Sequence, residues 1–443
     1  MDIVSILAAI FIFGIMIFIH EFGHFIIARK NGIRVIEFAI GMGPTIFSFG
    51  KKDTKYSLKL FPFGGYCRMQ GFEDEQLDDE DKKELDATQS FESKSVWARI
   101  SVVAAGPIFN FVLAFVLAII VIGYVGYDPA EVIYVDENSP AAEAGLQVGD
   151  VITYYDGENI NFGRDLDMHD YFEPIKNDMA IVIKYKRDGK ETQTSLYPVL
   201  KKKYAVGFMY TIDDGVADIE QVVEGGALHG AGVKDGDVIV SVNGTAIASS
   251  RDLNKYFDEN PITESDVHMV LERNGEQFEV TVTPSFSYEY YDTGFLYNYG
   301  RQKTDALGTI KYSFAEVGLQ IKTVYRSLGM LFTGGVSVND FSGPVGIADI
   351  INDTYEASKP DGFIYVFLNF ANLTIMLSAN LGVMNLLPIP GLDGGRLLFL
   401  IIELVRRKPV DKKKEGMIHV IGMLLIMAFA MFILFKDVFA LFK

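Results

Sequence analysis

A single cysteine, Cys67, among 443 residues excludes an internal disulfide framework and leaves that thiol as a small core side chain. Basic residues are scarce where they would matter most for nucleic acid. The segment 128–300 carries 32 acidic side chains against 13 basic ones, which rules out nucleic acid as its partner. No small-residue cleavage site follows the first apolar run, so that run is expected to remain as an anchor. Charge itself is missing from three stretches, Ile3–Ile19, Ile100–Gly126 and Met417–Phe435. A fourth, Phe363–Ile402, is interrupted by Pro, Asp and Arg. Each of the first three approaches the ~20 residues a helix needs to cross the hydrocarbon core. The chain reads as an α-helical polytopic membrane protein with four spans: 1–28, 100–126, 363–405 and 416–436.

Two basic clusters orient the spans. One (Arg29, Lys30, Arg34, Lys51, Lys52, Lys55, Lys59, Arg68) lies in the loop 29–99, and the other (Arg406, Arg407, Lys408, Lys412 to Lys414) in the loop 406–415. The segment after the second span begins with acids alone: Asp128, Glu131, Asp136 and Glu137. Positive-inside bias places both basic loops in the cytoplasm and 128–360 outside. Within the first loop, Val35–Ile40 and Tyr56–Phe61 flank glycine-rich turns and predict a β-hairpin beside the membrane. The acidic run Glu73–Asp86 predicts a solvated loop or helix. A near-helical apolar period over 305–335 predicts an amphipathic helix within the juxtamembrane segment 301–362.

The external region repeats itself. Ser139–Ile152, with Gly145, Gly149 and Asp150, aligns at an offset of 87 with Gly226–Ile239, with Gly232, Gly236 and Asp237. Asp156-Gly157 then matches Asn243-Gly244, a tight-hairpin signal in both copies. This A-G-L-x-x-G-D-x-I pattern resembles PDZ domains, so two PDZ-like α+β domains are expected, over 127–200 and 201–300.

Chemistry concentrates in His20-Glu21-Phe22-Gly23-His24, at the inner end of the first span. On a helix, imidazoles at i and i+4 share a face and can bind one zinc. The neighbouring Glu can act as general base. An acid and two histidines inside a span are costly there and persist when paired or functional. A third ligand must come from another span. The candidates are its buried acids, and Asp393 is the only acid between Asp361 and Glu403. It sits in Asn385-Leu-Leu-Pro388-Ile-Pro390-Gly-Leu-Asp393-Gly-Gly, where prolines and glycines must break the helix and open a cavity-lining loop.

Together HEFGH, Gly106-Pro107-Ile-Phe-Asn110, the PDZ-like copies, Ser342-Gly-Pro-Val-Gly346 and NLLPIPGLDGG are similar to the site-2 protease family over essentially the whole chain. The closest similarity is to its bacterial double-PDZ branch, intramembrane zinc metalloproteases that cleave anti-sigma factors. The resemblance implies one Zn2+ held by His20, His24 and Asp393, with Glu21 as base. It implies that Asn385, Pro388 and Pro390 hold substrate, and that Gly41, Gly43 and Tyr66 lie on membrane-dipping β elements near it. It further implies the bacterial inner membrane, PDZ-like domains outside, an active site near the cytoplasmic side, and single-span membrane proteins as substrates. The alternative from another class is a PDZ-bearing transporter or metal-handling protein. Four spans without internal repeat, and a Glu beside the ligands, argue against it.

Overall fold

The computed structural model describes residues 3–50, 54–72, 86–298, 300–335 and 343–440. Most of the acidic run (73–85), as well as Lys51, Lys52 and Ser342, lies outside them. The chain divides into two compact units, Met1–Pro129 with Tyr299–Lys443, and Ala130–Asn298.

In the first unit, helix α1 (Ile3–Lys30) is apolar until its His and Glu residues and ends on Arg29 and Lys30. A β-ribbon follows, β1 (Val35–Phe49) against β2 (Lys55–Met69). Both strands run well past the six residues that the sequence predicts for each, because repeated register shifts let β1 pair twice. Phe38 has Cys67 on one side and Tyr56 on the other. Helix α2 (Val96–Val125) starts at a Ser95 cap and carries Pro107 in its interior. Four helices among the described residues are long and apolar enough to cross a membrane, the other two being Phe363–Leu386 and Lys412–Asp437.

The second unit holds the repeat. It opens with β3 (Val132–Val135), the single-turn helix α3 (Pro140–Glu143), β4 (Val151–Tyr155), β5 (Glu158–Asn159), helix α4 (Gly163–Phe172), β6 (Ile181–Arg187), β7 (Lys190–Leu196) and β8 (Val199–Ala205). The second copy follows with β9 (Phe208–Met209), β10 (Gln221–Val222), the one-turn α5 (Ala227–Gly230), β11 (Val238–Val242), β12 (Thr245–Ala246), α6 (Ser250–Glu259), β13 (Val267–Arg273) and β14 (Glu276–Val282). The sheets correspond strand for strand, β5-β4-β6-β7 and β12-β11-β13-β14. The chain then returns through β15 (Ser285–Asp292) and β16 (Phe295–Tyr297), which pair with β8 and β3. Phe295 packs with Val132, Ile152 and Leu196 in the first copy's core, whereas a division at residue 200 assigns it to the second. The second copy is thus an insertion, closed by its own core of Ile219, Leu228, Ile239, Leu253, Met269 and Leu271.

Both copies tie their Gly-Asp turn the same way. Arg187 donates to Asp150 (2.7 Å) and to the Gly145 carbonyl (2.8 Å); Arg273 donates to Asp237 (2.6 Å) and to the Gly232 carbonyl (2.9 Å). Burial raises the Asp237 pKa, but the Arg273 guanidinium and the Lys234 N–H outweigh it and hold the carboxyl below the usual range. The stabilisation is therefore complete above the unfolded value near ~4 and is lost as pH falls through the lower folded one. Arg273→Met should strand a buried carboxylate and cost about 3 kcal/mol. The check is faster protease nicking of the second copy in the intact chain at neutral pH, a difference that shrinks on acidification.

After the second unit, α7 (Ala306–Thr333) is the expected amphipathic helix, capped by Asp305. Helix α8 (Pro344–Ser358) follows it, a second helix in the juxtamembrane segment beyond the one that the apolar period predicts. The interrupted span becomes α9 (Phe363–Leu386) and α10 (Asp393–Arg406), with the proline loop between them. The last helix is α11 (Lys412–Ala440).

Candidate metal centre

Helix spacing brings His20 and His24 to one side of α1, both buried. Helix α10 begins at Asp393, and its position against α2 is fixed by a bidentate pair from Arg99 to Glu403 (2.6 and 3.1 Å). His20 Nε2 and His24 Nε2 are 3.3 Å apart, and each lies 3.2–3.3 Å from Asp393 Oδ2. Three ligand atoms ~2.0–2.1 Å from one tetrahedral ion stand about 3.3 Å from one another. Asp393 Oδ2 is buried yet accepts no hydrogen bond, an orphan that a cation between the three atoms would satisfy. Two imidazoles and one carboxylate suit zinc, and they leave a tetrahedral position open. Among the described residues this is the one group of His, Cys, Asp or Glu placed to hold a metal ion.

The outer partners set the tautomers. His24 Nδ1 donates to the Val102 carbonyl at 2.9 Å, which leaves Nε2 as a bare lone pair. Pro107 lacks an N–H and so loosens that turn of α2. His20 Nδ1 meets the Asn110 carboxamide at 3.1 Å, and Asn110 Oδ1 has no partner. Turning the amide over therefore sacrifices no hydrogen bond. It presents Oδ1 to an Nδ1–H and frees His20 Nε2 as well. Ser378 on α9 donates to the Asn110 carbonyl (2.9 Å) and ties a third helix to the arrangement.

Glycines make the closeness possible. A Cβ on Gly106 would lie 2.3 Å from His24 Nε2 and 2.8 Å from His20 Nε2, and one on Gly23 would lie 2.4 Å from the Ala105 carbonyl. Helices α1 and α2 thus cross on small residues, as packing within lipid favours.

Glu21 points to β2. Its Cγ would be 3.2 Å from a Cβ on Gly65, and its carboxylate faces the Cys67 backbone N–H. Tyr66 does not project freely. Its hydroxyl donates to Glu37 Oε2 (2.7 Å), and Ser57 donates to Glu37 Oε1 (2.5 Å), with Lys59 and Arg68 within 3.7 Å of the same carboxylate. Buried Glu37 is thus the anchor of Tyr66, and the sequence does not single it out, because its partners come together only through the ribbon's shifted register. Gly41 and Gly43 both adopt positive φ (+84° and +86°) and would collide with Phe61 if they carried a Cβ. That backbone shape lets the two strands of the ribbon approach this closely. Asn385 lies in the last turn of α9, with Pro388 and Pro390 in the loop after it.

Residues 8–429 match the pattern of Peptidase family M50. The chain belongs to that family. Full-length M50 relatives are similar throughout. The zinc metalloprotease RasP of Geobacillus kaustophilus is 32% identical, the match covering 98% of this chain and 97% of the relative. The probable protease eep of Enterococcus faecalis is 31% identical over 98% of each chain. The regulator of sigma-W protease RasP of Bacillus subtilis is 30% identical over 99% of each.

Proposed function

We propose that this M50-family zinc metalloendopeptidase hydrolyses peptide bonds within the membrane-spanning segments of single-span proteins already trimmed outside the membrane, anti-sigma factors among them. The observation that carries the reading is the triangle of His20, His24 and Asp393, with sides of 3.2–3.3 Å, built on helices of membrane-spanning length. These three residues would hold the ion. When bound, zinc supplies Lewis acidity that polarises a carbonyl and acidifies water. Glu21, one residue from His20, takes the proton from the attacking water and later delivers it to the departing amine. A helical substrate hides its carbonyls in its own hydrogen bonds, so it must be held extended. The β2 backbone at Gly65–Cys67, beside Glu21, and the open loop after Asn385 are the surfaces available for that. Arg29 and Lys30 close α1 just beyond His24, which supports a cytoplasmic-side centre with the 130–298 unit, two PDZ-like domains, outside. The sigma-W regulator among the relatives supports the substrate class.

The test is cleavage of a pre-trimmed single-span substrate in liposomes by the zinc-loaded chain. No cleavage, or cleavage insensitive to chelation, overturns the proposal. Asn385 sharpens it. Its side chain is partly buried, and none of the hydrogen bonds among the described residues uses its amide, so it is available to pair with an extended backbone. Asn385→Leu should keep full zinc occupancy and lower cleavage about 10- to 100-fold, most for substrates with stable helices. Loss of zinc, or equal loss for substrates carrying Gly or Pro near the cut, would assign Asn385 to the scaffold.

A further inference from the structure

We propose that His419, on the last helix, is a positioning residue that holds the Leu387–Leu392 loop in the shape that receives substrate; this rests on the peptidase reading above. The loop's backbone amides leave few choices. Pro388 and Pro390 have none. Leu387 N–H bonds the Met384 carbonyl, Ile389 N–H the Leu387 carbonyl (2.7 Å) and Leu392 N–H the Ile389 carbonyl (3.1 Å). Those three amides bond within five residues along the chain; the Gly391 N–H instead reaches another helix and donates to His419 Nδ1 at 3.0 Å. The imidazole is itself steadied edge-on against Phe399 of α10, ring centres 5.5 Å apart.

The loop is also clamped between glycines. A Cβ on Gly394 would lie 2.1 Å from the Leu387 carbonyl oxygen, one on Gly395 2.4 Å from that of Ile389, and one on Gly422 2.0 Å from that of Pro390. Gly394 and Gly395 belong to α10; Gly422 lies three residues beyond His419 on α11. Helix α11 therefore grips one peptide, Pro390–Gly391, at both its polar atoms: the carbonyl rests over Gly422 and the N–H is taken by His419. Gly391 has φ +98° and would meet the Met423 backbone if it carried a Cβ, so this peptide has no room to adjust while the grip holds. If His419 lets go, the Gly391 N–H loses the partner it has in this fold and the peptide turns in search of another, carrying Pro388 and Pro390 with it. Asp393 is held separately, by α10 and its Arg99–Glu403 tie. The effect should therefore fall on substrate binding and spare the metal.

The experiment compares His419→Leu with His419→Asn in the full-length, zinc-loaded chain in liposomes. Leucine keeps apolar bulk without an acceptor, whereas the Asn Oδ1 hangs from Cγ as Nδ1 does. His419→Leu should raise KM about tenfold with kcat within about threefold, and His419→Asn should bring KM back to within about threefold of the parent. Zinc occupancy should be unchanged in both. Hydrogen exchange over 387–392 should quicken in the Leu variant alone, which reads the grip without reference to catalysis. Should His419→Leu fail to accumulate, Gly422→Ala presses on the same peptide and should raise KM in the same way. A parental KM in the Leu or Ala variant, an Asn variant no better than Leu, or unchanged exchange overturns the grip. Absence of zinc-dependent cleavage in the parent chain overturns the peptidase reading instead, and the exchange comparison then decides the grip alone.

Discussion

Glu21→Gln should leave the purified chain with its zinc and reduce turnover by roughly 10²- to 10⁴-fold, the range a lost general base commands. The amide keeps the shape beside Gly65 and the Cys67 N–H but has no lone pair basic enough to take a proton from water. His20→Ala, His24→Ala and Asp393→Ala should behave differently, losing the metal together with the activity. Each leaves two ligands of a set whose three atoms stand 3.2–3.3 Å apart. Metal analysis and single-turnover cleavage on the same samples separate the two classes. Substantial turnover by Glu21→Gln, or full zinc in any of the three alanine variants, would contradict the roles proposed here.

Gly106→Ala should be as damaging as removing a ligand, although it deletes nothing. The added methyl would sit 2.3 Å from His24 Nε2 and 2.8 Å from His20 Nε2, on the lone pairs that would face the ion. Relief requires α1 and α2 to separate, yet Gly23 already packs against the Ala105 carbonyl without space to spare. Zinc affinity is expected to fall at least 100-fold, at the upper end of what outer-shell changes cause. By contrast, Ala in place of Gly145 should leave zinc binding intact, since a Cβ there meets nothing within 4 Å and only its φ of +78° is strained. Equal zinc affinity in Gly106→Ala and the parent chain would mean that the helices yield.

What the sequence makes legible here is what covalent spacing alone decides. HEFGH needs only one helix to bring its imidazoles together, and the charge-free runs need only their length to read as spans. The repeat shows because glycines at positive φ recur at a fixed offset: Gly145 and Gly149, then Gly232 and Gly236. Asp393 stands out because an acid in an apolar run is rare. Contacts between distant elements leave no such mark. Asn110 belongs to a motif, but its task shows only when α2 crosses α1 and sets it on His20. Glu37 reads as a strand's solvent-facing acid until the ribbon's shifts bring Ser57, Tyr66, Lys59 and Arg68 around it. His419 reads as an ordinary residue of the last span, since the loop it grips is set beside it only by folding. The three-residue strand Phe295–Tyr297 is too short to announce its partner at all.

That last strand determines an order of events during synthesis. Val132–Val135 leaves the ribosome early, but its partner, Phe295–Tyr297, leaves only after the whole inserted copy. Val199–Ala205 likewise waits for Ser285–Asp292. The inserted copy, by contrast, has every strand of its four-stranded sheet between Val238 and Val282 and can close as soon as that stretch is available. The copy whose chain emerges first is therefore the one that closes last, and until then it carries unpaired strand edges that a chaperone or a protease could seize.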